Sequence, residues 1–395
     1  MTSWARRGFP CCLLALLLLL WPLAALAADN GGAAVGDFTT SAPYAVLMDF
    51  ETGSVIFAKN ADQPMEPASM AKLMTLAVVF DELKTGKIHL DDQFFISDHA
   101  WKEGGAASGS STMFAKVHSK VPVIDLLYGL IVQSGNDAAI ALAEGIAGSE
   151  TTFASIENQM AAKIGLTNSH FTNASGLPDP NLHTTAHDLA RLARYLIMTY
   201  PEYYHIFSVP SFTWNKIKQH NRNTLLGLGL GVDGLKTGHS EESGYGIVLS
   251  TDQGGRRLIA VLNGMKTERE RTVEGQRLLN WGVHGFEQVA AFAKGQVVGY
   301  ASVYGGQKPS VGLIGKDEID LYLPKGKPQC PVATIAYKGP LRPPVEQGDQ
   351  VAELDVTCGG QQVQTVPLYA AETIKDGGFM TRAMAALKQL ALGWL

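Results

Sequence analysis

The chain is short of cysteine, of charge and of any recognisable metal or phosphate site. Only 4 of its 395 residues are cysteine, and no Cys/His cluster has metal-ligand spacing, so the sequence offers no bound metal. Glycine is plentiful, at 42 residues, yet no Gly-rich loop reads as a phosphate cradle, and no cofactor is expected. Charged residues make up 17% of the chain, with 32 basic against 37 acidic. That balance lacks the basic excess that nucleic-acid binding needs, so no nucleic-acid partner is expected.

The first residues are read as a targeting segment. Arg6 and Arg7 precede an apolar run from Cys12 to Trp21, followed by Pro22 and the small-residue pattern Ala25-Leu26-Ala27. This order predicts a secretory signal over residues 1–27, too short to span a membrane stably. No cysteine sits beside the cleavage point, so a lipoprotein signal is not read. Removing the segment leaves 30 basic and 37 acidic residues, and the two cysteines Cys330 and Cys358. An even count in an exported chain leaves a disulfide open. What remains, roughly 370 residues, is long for one core and predicts two domains. A hydrophobic content of 46% makes them globular.

Residues 28–288 read as an α/β domain. Ala45–Asp49 and Ser54–Ala58 alternate as a hairpin, and Leu73, Leu76, Ala77 and Phe80 recur at helical spacing after Pro67, which suits a first turn. Lys84-Thr85-Gly86 closes that helix, with glycine as its cap. Gly104–Ser111 is a small-residue loop, read as mobile. Val123 to Gly135 and Ala138 to Ile146 are buried helices, Thr151 to Leu166 another, and Thr184-Thr185-Ala186-His187-Asp188 a capping box opening Leu189–Thr199. His187 is read there as a surface residue. Three strands follow, at 232–240, 244–250 and 257–262, then a helix from Lys266 to Trp281. The pattern is an antiparallel sheet with a large helical insert.

Residues 289–372 change character, with short strands at 297–303, 319–323, 332–337, 350–356 and 362–368, and read as a small all-β domain. The tail, 373–395, places Phe379, Ala383, Leu387, Leu390 and Trp394 on one helical face. It is expected to be an amphipathic helix lying on a membrane surface without crossing it.

Three polar patterns stand out against these elements. Ser69-Met70-Ala71-Lys72 opens a helix, where free N–H groups favour a developing anion and Lys72 falls on the serine's face. A serine needs a base to act as a nucleophile, and a desolvated lysine can serve. Taken alone the pattern is common, and an exposed helix face would explain it. Ser134-Gly135-Asn136 is wedged between two buried helices, where hydroxyl and amide groups need partners or a function. Lys236-Thr237-Gly238 lies on a strand after Asp233-Gly234. Lys84-Thr85-Gly86 is a decoy, since it ends a helix and precedes the Ser-x-Asn element.

In this order the three elements are the set found in penicillin-binding proteins and class A β-lactamases. The chain resembles the low-molecular-weight, class C penicillin-binding proteins that are D-alanyl-D-alanine carboxypeptidases, peptidase family S11. The resemblance rests on Pro67-Ala-Ser-Met-Ala-Lys-Leu-Met-Thr75, Gln133-Ser-Gly-Asn-Asp-Ala138, His220-Asn-Arg-Asn223 and Asp233-Gly-Leu-Lys-Thr-Gly-His239. It extends over the β domain and the tail. It implies a transpeptidase-like fold and a serine acyl-enzyme acting on peptidoglycan stem peptides. It also implies β-lactams as covalent inhibitors and attachment to the periplasmic side of the inner membrane. Ser69 is then the nucleophile, Lys72 the base and Ser134 a proton relay to the leaving amine. Asn136 holds the stem-peptide amide, and Lys236 with Thr237 and Gly238 receives the terminal carboxylate. The N–H groups of Ser69 and His239 form the oxyanion hole, and Arg222 is a second carboxylate contact or a surface salt bridge. Two departures stand out: Ser240 where the family commonly has threonine, and the loop Gly227–Gly231, which lacks polar and aromatic residues.

A serine β-lactamase would share the motifs but would need a deacylating glutamate, and no convincing Glu-x-x-x-Asn follows the Ser-x-Asn element. An endopeptidase acting on cross-links remains open. An inactive peptidoglycan-binding scaffold is the non-enzyme reading, against which the intact polar set argues.

Overall fold

The computed structural model describes residues 38–253, 255–325, 331–358, 361–379 and 382–383. The predicted signal, most of the predicted tail helix and Cys330 lie outside them. Cys358 is disulfide-bonded.

The chain opens with β1 (Tyr44–Asp49) and β2 (Val55–Lys59), then enters the helical insert. The insert holds α1 (Lys72–Lys84), β3 (Gln93–Phe95), α2 (Asp98–Gly104), β4 (Lys120–Pro122), α3 (Val123–Val132), α4 (Asn136–Ala147) and α5 (Glu150–Ile164). It continues through α6 (Ala186–Thr199), α7 (Pro201–Tyr204) and the hairpin of β5 (Ser211–Trp214) and β6 (Ile217–His220). The long strands β7 (Val232–Ser240), β8 (Gly244–Gln253) and β9 (Arg256–Met265) and the helix α8 (Glu268–His284) complete the unit.

Five strands form one antiparallel sheet in the order β2-β1-β9-β8-β7. The N-terminal hairpin joins through β1 and β9, with Val46 opposite Val261. The sheet is buried on both faces, which explains why β8 and β9 read as almost unbroken apolar runs. Val248, Ile259 and Val261 face the core shared with the insert. Ile247, Leu249, Leu258, Ala260 and Leu262 face the layer under Leu278 and Leu279 of α8. The insert's central helix, α1, is buried at every position from Lys72 to Phe80. A one-sided amphipathic helix was the expectation; helices on several sides of α1 account for the difference, and Lys72 is not on an exposed face.

The β domain contains β10 (Phe286–Phe292), β11 (Val297–Ser302), β12 (Ser310–Ile314), β13 (Ile319–Pro324), β14 (Val332–Ala336), β15 (Gln350–Cys358) and β16 (Gln361–Ala370). Its sheet runs β11-β12-β16-β15-β14, and β10 pairs with β13. Strands β10 and β12 were not anticipated. Its core, which includes Leu313, Leu354, Val356 and Leu368, is separate from the other two.

Candidate active site

The Ser69 turn is tighter than an α-helix start. Ala68–Ala71 form a 3-10 turn, with Ala68 at φ 45°, and Lys72 begins α1. Behind the turn runs the loop 173–177. Gly176 has φ +70°, and a Cβ there would lie 2.1 Å from the Ala68 carbonyl oxygen. Only glycine allows that approach. The loop is folded on itself by Asn173, whose Oδ1 accepts from the N–H groups of Ser175, Gly176 and Leu177.

Lys72 is 0% exposed. Its Nζ lies 2.9 Å from Ser69 Oγ and 2.6 Å from Asn136 Oδ1, and also contacts the Ser175 carbonyl oxygen. Two of these three partners are carbonyl-type oxygens that can only accept. When Lys72 is neutral it gives its two hydrogens to them, and its lone pair is left facing the Ser69 hydroxyl. Burial pulls the Lys72 pKa down to about 7, the Arg222 guanidinium adds to the fall, and Asp137 and Glu150 oppose it.

The second wall is a helix break. α3 ends at Val132, Ser134 stands at φ 64°, and α4 starts at Asn136. A serine in the left-handed region is strained, and here that conformation delivers its Oγ to 2.8 Å from Lys236 Nζ. Asn136 bridges the site, since its Nδ2 donates to Ser110 Oγ at 2.9 Å and its N–H to the Ser111 carbonyl at 2.7 Å. The next residue, Asp137, is buried and anchors the outer wall. Its carboxylate accepts from Thr112 Oγ1 and from the N–H groups of Met113, Ala115 and Ala138. Burial raises its pKa while these donors resist the rise. The segment expected to be a mobile loop is thus a 3-10 turn, Ala106–Ser108, running into a wall bonded to Asn136 and Asp137.

The third wall is β7, at the edge of the sheet, whose outer rim has no strand partner among the described residues. Such a rim can hydrogen-bond an extended peptide. It packs closely on the Ser69 turn, because a Cβ on Gly238 would fall 2.7 Å from the Pro67 carbonyl oxygen. Lys236 is buried, with Nζ also 3.0 Å from the Thr237 carbonyl oxygen. Burial first, and then Lys72, Arg222 and Arg271, hold its pKa well below the usual lysine value.

The walls enclose a cleft of about 420 Å³. Ser69, Ser134, Asn136, Thr237, Gly238, His239 and Arg222 line it. Lys72 and Lys236 lie beneath, each reaching the cleft through a serine hydroxyl. Sequence reasoning missed the Ser175 carbonyl, Ser110, Tyr245, Glu268 and Arg271. A backbone carbonyl carries no residue signature, and the others join the site only when the sheet and insert assemble. His239 lies against Tyr245, with ring centroids 3.9 Å apart and the planes tilted by 33°, and Arg271 donates to Glu268 Oε1 at 2.7 Å. His187 lies elsewhere, with Nδ1 3.0 Å from Asp62 Oδ1.

A three-walled serine–lysine cleft on this sheet is a serine acyl-transfer site by its geometry. The family model for D-alanyl-D-alanine carboxypeptidase, Peptidase S11, matches residues 32–267, and that for the penicillin-binding protein 5 C-terminal domain matches 286–376. D-alanyl-D-alanine carboxypeptidase DacC of Escherichia coli is 40% identical over 340 residues, 85% of each chain. The crystal structure of penicillin-binding protein 5 from Haemophilus influenzae has a TM-score of 0.69 at 37% identity, covering 86% of this chain and 99% of that one. Penicillin-binding protein D2 from Listeria monocytogenes, in its ampicillin-bound form, has a TM-score of 0.54 at 29% identity. It covers 62% of this chain and 99% of that one. The chain belongs to the D-alanyl-D-alanine carboxypeptidase family of serine peptidases.

Proposed function

We propose that this chain removes the terminal D-alanine from peptidoglycan stem pentapeptides through an acyl-enzyme on Ser69. The observation that carries the reading is the Lys72 environment, in which the neutral amine has one lone pair and Ser69 Oγ–H is the single donor facing it. Ser69 Oγ attacks the penultimate D-alanine carbonyl as its proton passes to Lys72. The N–H groups of Ser69 and His239 hold the oxyanion. As the C–N bond breaks, Ser134 gives its hydroxyl proton to the leaving amine of D-alanine and takes in its place the one Lys72 received from Ser69, so that Lys72 is neutral again. Water then attacks the ester as it gives a proton to neutral Lys72, which passes that proton to the departing Ser69 Oγ.

The terminal carboxylate is received by Thr237 and by Arg222 at the cleft rim. Lys236 contributes from beneath, since its amine is bonded to Ser134 Oγ and does not line the cleft. A carboxylate placed there favours the protonated amine. Asn136, with Oδ1 held by Lys72, can turn its amide edge to the stem peptide.

The test is D-alanine release from a pentapeptide ending in D-Ala-D-Ala. The native chain should release it and Ser69→Ala should not; equal release by both would overturn the assignment. A β-lactam should stay on Ser69 for minutes, whereas rapid turnover would mean a β-lactamase. Release from cross-linked dimers as fast as from pentapeptide would mean an endopeptidase.

The signal pattern of residues 1–27 and the apolar face of 373–395 support a place on the periplasmic side of the inner membrane, held by the tail. Deleting 373–395 should move the protein from the membrane pellet to the soluble fraction, and an unchanged distribution would refute the anchor.

A further inference from the structure

Behind the catalytic helix lies a carboxyl group that the acylation scheme does not use. Glu157, on α5, is 0% exposed. Its Oε1 lies 2.8 Å from Thr75 Oγ1, and its Oε2 is buried with no hydrogen-bond partner among the described residues. Thr75 is also 0% exposed and sits one turn after Lys72 on α1. Its Oγ1 lies 2.7 Å from the Ala174 carbonyl oxygen as well.

A count of hydrogens fixes who donates. Thr75 has one hydroxyl hydrogen and two oxygen neighbours, of which the Ala174 carbonyl can only accept. Both contacts are full two-centre hydrogen bonds only if Thr75 donates to Ala174 and Glu157 donates to Thr75, since otherwise one hydroxyl hydrogen is shared between two acceptors. Glu157 must then carry its own proton. The unpaired Oε2 agrees, because a buried carboxylate with one oxygen unsolvated would be very costly. Burial, with Glu150 on the same helix adding to it, pushes the Glu157 pKa well above its usual value.

The Ala174 carbonyl is one peptide away from the Ser175 carbonyl that holds Lys72. A protonated Glu157 therefore fixes the direction of the Thr75 hydroxyl, the hydroxyl tethers Ala174 to α1, and the tether sets the Ser175 carbonyl against the amine. We propose that Glu157 is a positioning residue for acylation: a neutral carboxylic acid that, through Thr75 and Ala174, holds the 173–177 loop on the catalytic lysine. The proposal rests on the Ser69–Lys72 reading above. It adds that Glu157 itself contributes no negative charge to Lys72; the groups that act on its charge are Arg222, Asp137 and Glu150, the last on the same helix as Glu157, with Lys236 beside it.

The full chain is tested by β-lactam acylation rate against pH, in Glu157→Leu, Glu157→Gln, Thr75→Val and Thr75→Ser. Misplacing a catalytic group by a fraction of an ångström costs about tenfold or more, so Glu157→Leu should slow acylation by that factor. Glu157→Gln, whose amide N–H can replace the acid's donor, should recover most of the rate with the same pH midpoint. If Glu157→Leu does not fold, the threonine pair decides, since Thr75→Val should slow acylation about tenfold and Thr75→Ser should restore it. The native rate in Glu157→Leu, or in Thr75→Val where Glu157→Leu cannot be measured, would overturn the proposal. So would a lower pH midpoint in Glu157→Gln, because removing an anion lowers the pKa of a nearby lysine. Failure of the native chain to be acylated would sink the Ser69 reading itself, a separate outcome.

Discussion

Lys72 and Ser134 show how single residues carry chemistry against their own preferences. A lysine buried among carbonyl oxygens gives up its charge near neutral pH, and the sign of the consequence is fixed. Only the neutral amine accepts the Ser69 proton, and its folded pKa is lowered to about 7. Acylation should be slow below about pH 6, rise through about pH 7 and level off above about pH 8. Stopped-flow acylation across that range checks it, and a flat profile would remove Lys72 as the base. Ser134, at φ 64°, trades backbone comfort for its contact with Lys236. Glycine adopts that conformation freely but has no hydroxyl. Ser134→Gly should keep stability within about 1 kcal/mol while acylation falls about 100-fold. Parallel denaturation and acylation measurements separate the two effects.

At the scale of elements, the site exists because three chain segments approach more closely than side chains normally allow. Gly176 meets the Ser69 turn at a distance no Cβ tolerates. Gly176→Ala should push the 173–177 loop off that turn, lower stability by about 2 kcal/mol and slow acylation at least tenfold. Thermal unfolding and β-lactam labelling measure these, and native acylation in the variant would show that the loop does not position Lys72. Asp137 does the corresponding work for the outer wall. Asp137→Ala leaves the N–H groups of Met113 and Ala115 without their acceptor, and should cost about 2–4 kcal/mol, read as a fall in the urea midpoint.

The elements themselves were largely legible. The α3–α4 helices, the three long strands and the three motifs announce themselves through apolar period and polar interruption. The illegible parts are of a particular kind. That α1 is buried all round depends on helices far along the chain. Ser175 acts through a backbone carbonyl, whose role no side chain encodes. Asp137 and Glu157 look like ordinary helix residues until their partners at 112–115 and Thr75 are brought beside them. Within 104–111, the small residues that read as a loop also allow the close approach of Gly104 to Asn136 and Asp137, which the sequence does not show.

For the whole molecule, the question is whether the β domain shapes the site. Among the described residues, the core holding α1, α3 and α4 contains none beyond Val261. The β-domain core, from Ala291 to Ile374, shares none with it. The two halves meet where β16 runs against β2, away from the cleft, and around Phe286 and Tyr322. Tyr322 packs into the α8 layer, where Arg256 lies 3.9 Å from its ring centroid and donates to the Gly282 carbonyl. That stacking is worth about 1 kcal/mol and touches none of the cleft residues. A chain ending at Phe286, which keeps the contact of that ring with Trp281 at 4.7 Å, should therefore still be acylated. Its rate should lie within about threefold of native, with a melting temperature lower by a few degrees. A loss of acylation in a chain that still unfolds cooperatively would mean that the β domain holds the cleft in its working geometry.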